Sequence, residues 1–334
     1  MTKRLFIVLC LALLAGVLAA CGGGSKSVPT DAVALVGSDT ITKAQFNSLM
    51  DATAKVDKVN KQTPPKAGTA EYKAVQDRVM AFLVQLDELS QKGATLGVTV
   101  TDAQVEKQVD KVRKQYFGGN EKKFEQGLAQ QGLTVDIYRL EWRSQLLSQA
   151  VYNKVTKGIK VTPAQVQAYY NTHKSAYTTP SSRSIRHILV NSKSLADQLE
   201  TQLKHGGDFA ALAKKYSKDP QSAKVGGKLG TIKKGETVPQ FDKVAFSLKT
   251  GQTSAPVHTQ YGWHIIQALS DVTPAKTTPL ASVRQSIEST LLSQKKSDAM
   301  NKWLDGVKKE YAKRVTYAAG YTPSATTTTA STTG

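Results

Sequence analysis

The sequence has few residues able to form disulfides or bind a metal. It has 334 residues but only two cysteines, Cys10 and Cys21, both near its start. Two cysteines cannot build a multi-disulfide scaffold or a thiolate metal cluster. Its five histidines show no His-Glu-x-x-His or other metal spacing, and no Gly-x-Ser-x-Gly segment occurs. We therefore expect no metal, no cofactor and no cysteine nucleophile in the mature chain.

The sequence also lacks a hydrophobic run suited to crossing a bilayer. The apolar segment Leu5–Val17 has 13 residues, fewer than the ~20 of a membrane-spanning helix. It follows two basic residues and ends in small residues before Cys21, which is typical of a signal peptide and resembles the bacterial lipobox. We predict a signal peptide over 1–20, lipidation of Cys21 (palmitate included) and a flexible linker over 21–30. A plain secretory signal with an incidental cysteine is the alternative.

Charge of one sign is in excess but is not concentrated. Lysine and arginine number 45 against 26 aspartates and glutamates, for a net charge of +19, and no run of five or six like charges occurs. Nucleic-acid-binding proteins usually gather basic residues on one face, so we expect no nucleic-acid partner. A diffuse basic surface favours residence near an anionic membrane or wall polymer, and plain solubility explains it equally well.

Hydrophobic residues make up 40% of the chain, which is enough for real cores, and the length suggests two domains. Thr42, Thr101 and Thr162 are each followed three residues later by glutamine, and apolar residues flank each pair. This spacing predicts three helix starts with capping boxes and hydrophobic staples. Pro163, at the first helical position, strengthens the third.

Apolar residues at helical spacing indicate that residues 31–178 are mainly helical. We expect a short hairpin over 33–41 and a loop over 61–68. Further helices are expected over 124–131 and after Thr134, which can cap the longer one.

The pattern changes near Pro180 to short strands and helices. We predict strands over 185–190 and 263–269 and helices over 194–204 and 209–216, giving an α+β domain over 179–272. A long helix over Leu280–Arg314 follows. We expect the C-terminal segment 273–318 to pack on the N-terminal helices, and the Thr/Ser/Ala-rich tail 319–334 to be disordered.

Two histidines lie inside apolar strands, His187 in Ser184–Val190 and His264 in Tyr261–Ile266. Either one alone is more often a core histidine than a catalytic one. Between and around them lie several ordered motifs: Arg186–Val190, Tyr216–Pro220, Gly226–Gly230, Val238–Phe241, Ala245–Leu248, Gly251-Gln252, Pro256-Val257 and Gln260–Ile266. Over roughly residues 182–270 these motifs resemble the parvulin family of peptidyl-prolyl isomerases. With the lipobox and the flanking helices, the chain resembles PrsA-type foldase lipoproteins and, in layout, SurA-type chaperones.

The resemblance implies roles for nine residues. It implies that His187, Asp219, His264 and Tyr261 are catalytic, and that Leu229, Thr237, Val238, Phe241 and Phe246 bind the proline ring and its neighbours. Thr237 departs from the family, which usually has methionine there. A small β-branched hydroxyl could weaken ring binding or let Val238 take its place.

The resemblance also implies the function: an extracytoplasmic peptidyl-prolyl isomerase and foldase, lipid-anchored to the outer face of the cell membrane, that acts on unfolded or partly folded secreted proteins with X–Pro bonds. Its oligomeric state stays open, with a homodimer as one alternative. The alternative function is that of a holdase whose parvulin domain has little or no isomerase activity. Thr237 is the residue that suggests this alternative. A solute-binding lipoprotein fits less well, because strand–helix alternation is confined to about ninety residues.

Overall fold

The computed structural model of the chain describes residues 27–324, so the predicted signal peptide and lipidated Cys21 lie outside the described residues. The chain divides into two compact units. One contains the described parts of Met1–Ile159 and Ser293–Gly334, and the other is Lys160–Leu292. Among the helices of residues 27–324, none is both long enough and apolar enough to cross a membrane.

The first unit is built mainly of helices. They are α1 (Lys43–Val59), α2 (Ala70–Thr95), α3 (Asp102–Phe117), α4 (Glu121–Ala129), α5 (Val135–Val155) and the second part of α11 (Leu280–Tyr311). The capping boxes at Thr42 and Thr101 are present, with side chain and backbone bonded in both directions, and Thr134 caps α5. The third box, at Thr162, begins α6 (Pro163–Thr172) in the second unit. The local helix-start signals are therefore confirmed.

A three-stranded sheet completes the first unit. Strand β1 (Ala32–Val36) pairs with β2 (Asp39–Thr42), which confirms the predicted hairpin, and with β9 (Val315–Tyr317) on its other edge. The sequence did not predict β9. The last helix was expected to continue to Arg314 but ends at Tyr311, because the next residues leave the helix to pair with a strand some 280 positions earlier.

The core of the first unit joins the two ends of the chain. Phe46, Val79 and Phe124 of the N-terminal helices share a buried cluster with Val307 and Tyr311 of α11. This burial removes apolar surface from water on all of these helices. The last part of α11 thus packs on the N-terminal helices, whereas residues 273–292, which we expected to pack there too, belong to the second unit.

The expectation of a disordered tail from residue 319 is wrong for its first six residues. The ring of Tyr321 packs edge-on against Phe46, with 5.3 Å between ring centroids. Lys73 donates to the carbonyl of Thr322 (2.9 Å), and the backbone N–H of Ser324 donates to Asp77 (3.1 Å). An aromatic residue within the polar tail supplied enough apolar area to anchor it. Residues 325–334 lie outside the described residues.

The second unit is α+β. In chain order its elements are α6 (Pro163–Thr172), a 3₁₀ turn (Lys174–Tyr177), β3 (Thr178–Thr179), β4 (Ser182–Val190), α7 (Lys193–Lys204), α8 (Phe209–Tyr216), α9 (Pro220–Ala223), β5 (Lys228–Lys233), α10 (Pro239–Ala245), β6 (Val257–Thr259), β7 (Gly262–Ala268), β8 (Lys276–Thr277) and the first part of α11. The main sheet is antiparallel in the order β5-β4-β7-β6, and β3 pairs with β8.

This unit starts earlier than expected. We placed residues 31–178 in the helical region, but Val166 and Tyr170 of α6 form a cluster with Ile287 of α11, and the hydroxyl of Tyr170 donates to the carbonyl of Thr278 (2.7 Å). Both partners are more than a hundred residues away in the sequence. Helix α6 therefore belongs to the unit that begins at Lys160.

The two faces of the main sheet are covered by different helices. On one face Ile188 and Ile265 pack against Leu199 of α7 and Phe209 of α8. On the other face Ile185 and Ile266 pack against Phe241 and Ala245 of α10. Because side chains alternate along a strand, His187 lies on the α10 face with Ile185, and His264 lies there with Ile266.

Candidate active site

The register of the sheet brings the two strand histidines together. Strands β4 and β7 pair with His187 opposite Ile266 and Leu189 opposite His264, so the histidines are diagonal neighbours on one face. Their Nδ1 atoms are 3.2 Å apart, and the rings stack with 5.4 Å between centroids. Each residue is only 5% exposed. Neither strand alone carries this arrangement, because it arises from their pairing.

A carboxylate meets His187 on the other side of its ring. Asp219 is the N-cap of the short helix α9, and its Oδ2 lies 2.9 Å from Nε2 of His187. The hydroxyl of Ser222 lies 3.0 Å from the same Nε2 and donates to Asp219 Oδ2. The cap geometry that starts α9 thus also aims the carboxylate at the histidine.

A hydroxyl meets His264 at the far end of the pair. Thr259, the last residue of β6, places its Oγ1 2.8 Å from Nε2 of His264. The same Oγ1 accepts the backbone N–H of Tyr261 (3.1 Å). The turn between β6 and β7 therefore fixes Thr259, and Thr259 in turn fixes the second histidine.

The hydrogen bonds have one consistent direction when both rings are neutral. An ionised Asp219 can only accept, so His187 carries its proton on Nε2 and offers Nδ1 as an acceptor. His264 then donates from Nδ1, and its free Nε2 accepts from Thr259, which leaves Thr259 to accept from the backbone of Tyr261. In this series of hydrogen bonds every proton is donated in the direction of Asp219, and each ring has a single tautomer.

Burial favours that neutral state. Burial first, and then proximity to His187, lower the pKa of His264 to about 4 against a smaller opposing effect of Asp219. Burial also lowers the pKa of His187, which the hydrogen bond and charge of Asp219 only partly offset. The pKa of Asp219 would be raised by burial, but donors from Ser222, His187 and Gln221 bring it below its ordinary value. The site is therefore an anion linked to two uncharged imidazoles.

An aromatic ring lies edge-on to both histidines. Phe241 of α10 has its centroid 5.8 Å from that of His187 and 5.1 Å from that of His264, with interplanar angles near 80°. Val238 and Phe246 pack against the same apolar cluster. Of the five residues predicted to bind the proline ring, Phe241 thus contacts the histidine pair, and Val238 and Phe246 pack against the cluster that contains Phe241.

The remaining predicted residues lie at different depths. Tyr261 is 62% exposed and reaches the site only through its backbone, and Leu229 is 37% exposed, in the irregular part of β5 opposite Ile185 and Arg186. Thr237 precedes α10, and its hydroxyl oxygen is buried without a hydrogen-bond partner. The side chains of Tyr261 and Leu229 are therefore free to meet a ligand, whereas the hydroxyl oxygen of Thr237 is enclosed in a half-buried residue.

Sequence reasoning missed Ser222 and Thr259. Ser222 had a usable signal, since the residue three positions after an N-cap turns back toward it. Thr259 had none, because its contact depends on the pairing of β6 with β7. The other histidines make local contacts: His173 and His205 bond to carbonyls of their own helices, and the ring of His258 lies tilted by 41° against that of Trp263.

The sequence matches two family models. Residues 178–270 match the PPIC-type peptidyl-prolyl isomerase domain, also called rotamase, and residues 1–152 match the SurA-like N-terminal domain. The first match contains all of the histidine site, and the second contains the described helices α1 to α4 and most of α5.

Curated relatives match almost the whole chain. A foldase protein PrsA of Caldanaerobacter subterraneus is 31% identical over 311 residues, which are 91% of this chain and 94% of that protein. One from Clostridium botulinum strain Hall is 32% identical over 325 residues, 92% of this chain and 95% of that protein. Among solved structures, a SurA-like chaperone of Campylobacter jejuni matches with 25% identity and a TM-score of 0.48, covering 67% of this chain and 92% of that one.

An antiparallel sheet with a buried histidine pair, in a chain that also has a SurA-like helical region, defines a chaperone with a parvulin-type peptidyl-prolyl isomerase domain. Within that class, the chain belongs to the PrsA foldase family. It is a peptidyl-prolyl isomerase and foldase, and its substrates are unfolded proteins. The family and fold class expected from the sequence are both confirmed.

Proposed function

We propose that isomerisation takes place over the His187–His264 pair, with Asp219 as its anchor and Phe241, Val238 and Phe246 forming the apolar surface that receives the proline ring. The observation that supports this most directly is the hydrogen-bonded imidazole pair, joined to a carboxylate at one end and to Thr259 at the other. Leu229 and Tyr261, both exposed, would contact the peptide on either side of the ring.

The chemistry needs no covalent step. Rotation about an X–Pro bond has a barrier of ~18–20 kcal/mol, and lowering it by ~4 kcal/mol gives about a thousandfold acceleration. In the twisted state the amide loses its resonance. A site that excludes water and holds the substrate's proline ring separately from the rest of the peptide favours that state. Two neutral imidazoles with fixed protons offer oriented dipoles in a water-poor site, without the cost of burying a new charge.

The test is a proline-limited refolding assay with the full mature chain and its His187→Ala and His264→Ala variants. Removing one ring leaves the other with an unpaired buried nitrogen, which costs about 1–3 kcal/mol, so we expect kcat/KM to fall about tenfold or more. His205→Ala is the matched control, because His205 is exposed and bonds only to its own helix. Wild-type rates in both site variants would refute the proposed site.

The same assay decides between this proposal and the holdase alternative. The buried, unpartnered hydroxyl of Thr237 is the feature that favours a weak enzyme, because it adds an unsatisfied polar group beside the apolar cluster. A chain that prevents client aggregation but leaves proline-limited refolding unchanged would be a holdase. We expect acceleration.

We further propose that the chain acts outside the cytoplasm as a lipid-anchored protein. The support comes from the sequence: a basic start, a 13-residue apolar segment and Cys21 after small residues. Mass spectrometry of the membrane fraction should find acyl chains, palmitate among them, on Cys21, and Cys21→Ser should release the protein from membranes. A Cys21→Ser protein that stays membrane-bound and a wild type without lipid would each contradict the anchor.

The oligomeric state is a separate question. Light scattering of the purified chain decides between a monomer and a homodimer.

A further inference from the structure

Ser222 is a buried polar residue at the candidate site to which neither the family resemblance nor the comparisons assign a role. It is 2% exposed and lies in α9, the four-residue helix capped by Asp219. Its position three residues after that cap turns the side chain back toward the carboxylate. A buried hydroxyl requires hydrogen-bond partners, and those of Ser222 are the catalytic candidates themselves.

Its hydroxyl closes a triangle of polar atoms. Ser222 Oγ donates to Oδ2 of Asp219 and lies 3.0 Å from Nε2 of His187, while Oδ2 and Nε2 are 2.9 Å apart. Two protons are available, one on the hydroxyl and one on Nε2. The ionised carboxylate can only accept hydrogen bonds. Oδ2 of Asp219 therefore accepts from two donors, the Ser222 hydroxyl and the Nε2–H of His187.

The backbone of Ser222 is tied to the strand of His187 as well. The carbonyl of Ser222 accepts the N–H of Gly227 (2.8 Å), and the carbonyl of Gly227 accepts the N–H of His187 (2.8 Å). Two consecutive backbone bonds thus set the distance between the Ser222 side chain and the histidine ring. The hydroxyl is held in place by β4 itself and does not depend on a mobile loop.

We propose that Ser222 is a positioning residue for isomerisation: its hydroxyl keeps Asp219 ionised and aligned, so that His187 holds its proton on Nε2 and presents Nδ1 to His264. The inference rests on the site proposed above. Without the hydroxyl, Asp219 has one donor fewer and binds a proton more readily, because Ser222 is the largest of the contacts that lower its pKa. His187 can then move its proton to Nδ1. That proton would face the Nδ1 proton of His264, and the hydrogen bond between the two rings would be lost.

The groups that face Asp219 determine what a pH profile will show. They are the ring of His187 on β4 and, through that ring, the ring of His264 on β7, and both are neutral in the folded chain. With Ser222 removed, Asp219 should protonate at a higher pH than in the wild type. Its protonation removes the acceptor for Nε2–H, so the acid limb of kcat/KM should move to higher pH.

The experiment compares Ser222→Thr with Ser222→Val in the full mature chain, since these two side chains have the same shape and differ in the hydroxyl. We expect the threonine variant to keep wild-type behaviour. The valine variant should lose about tenfold in kcat/KM, move its acid limb upward and show mixed tautomers of His187 in ¹⁵N spectra of the imidazoles. Ser222→Ala offers the same loss without the extra methyl groups. Gln221→Ala should change nothing, because the Gln221 side chain is exposed and only its backbone N–H, which alanine keeps, bonds to Asp219.

Equal activity, equal acid limbs and a single His187 tautomer in both the threonine and valine variants would overturn the inference. If both variants lose their near-ultraviolet circular dichroism, Ser222→Ala decides in the same way, because it removes the hydroxyl and adds no volume. The result for the site proposal is separate. His187→Ala with wild-type activity refutes the site, whereas an inactive His187→Ala beside a fully active Ser222→Ala refutes only the role of Ser222.

Discussion

His264 forms hydrogen bonds with His187 and with Thr259, neither of which carries a negative charge. Nothing in direct contact therefore compensates a proton added to its ring, and burial lowers its pKa to about 4. His187 does contact a carboxylate, yet burial still outweighs Asp219 and lowers its pKa too. Both histidines therefore remain uncharged at a lower pH than an ordinary histidine does.

This state predicts an unusual pH profile. We expect kcat/KM for isomerisation to stay constant from pH 8 down to about 6 and to fall only in more acidic solution, as His264 gains its second proton near 4. The domain should lose stability in the same direction, because the unfolded chain binds the proton more readily between the ordinary pKa of ~6.5 and about 4. Circular dichroism at each pH separates the two effects. A fall in kcat/KM between pH 7.5 and 6.5 with an intact spectrum would contradict the prediction.

The elements that carry the site approach one another closely at a few glycines. Gly227, directly before β5, has φ of +83°, and a Cβ there would lie 2.3 Å from the backbone carbonyl oxygen of His187. Only a residue without a side chain lets β5 reach this position, and the N–H of His187 bonds to the carbonyl of Gly227 in return. The close approach therefore sets where the His187 ring lies.

A matched pair of substitutions tests this contact. Gly230, three residues later, also has positive φ (+77°), but a Cβ added there would meet nothing within 4 Å. Both Gly227→Ala and Gly230→Ala should incur the ~1 kcal/mol of left-handed strain. Only Gly227→Ala should also displace β4, so we expect it to cost about 2 kcal/mol more in urea unfolding and to reduce kcat/KM. Equal losses of stability and activity in the two variants would show that the contact is relaxed without consequence.

At the scale of the whole molecule, the described ends of the chain close the first unit. Strand β9 adds to the N-terminal hairpin, α11 supplies Val307 and Tyr311 to the N-terminal core, and Tyr321 packs on Phe46. This closure buries Glu88 of α2, which is 5% exposed. Burial raises its pKa to about 7, against the opposing charge of Lys308 on α11. A carboxyl group therefore lies where α2 meets the last part of α11.

The raised pKa of Glu88 determines how this residue changes the stability of the folded chain with pH. The folded chain holds the proton of Glu88 more tightly than the unfolded chain, so stability is full below pH ~4.5 and is lost as pH rises to about 7. Glu88→Gln should leave stability unchanged at pH 4 and increase it at pH 8 by about 2 kcal/mol, allowing for solvent screening. Urea unfolding at both values measures this. Glu125→Gln, at an exposed position, is the control, and a gain equal to that of the control at pH 8 would refute the prediction.

Local chemistry made part of this fold readable from the sequence. The threonine–glutamine boxes at 42, 101 and 162 appear as helix starts because each is completed within four residues, and the 33–41 hairpin is local in the same way. Strand β9, the packing of α6 on α11 and the anchoring of Tyr321 were missed. Each depends on a partner more than a hundred positions away, which no local pattern records.

The candidate site likewise has some features that short segments of sequence show and others that only the folded structure shows. The sequence by itself determined the residue types of the site, the alternation that sets His187 and His264 on strand faces, and the motifs that indicate the parvulin family, because these are properties of short segments. Only the tertiary structure decided that the rings meet at 3.2 Å, that Ser222 and Thr259 complete the chain, and that Tyr261 remains exposed. Those contacts depend on the register between strands and on the backbone approach at Gly227, which burial and hydrogen bonding fix only when distant segments pack together.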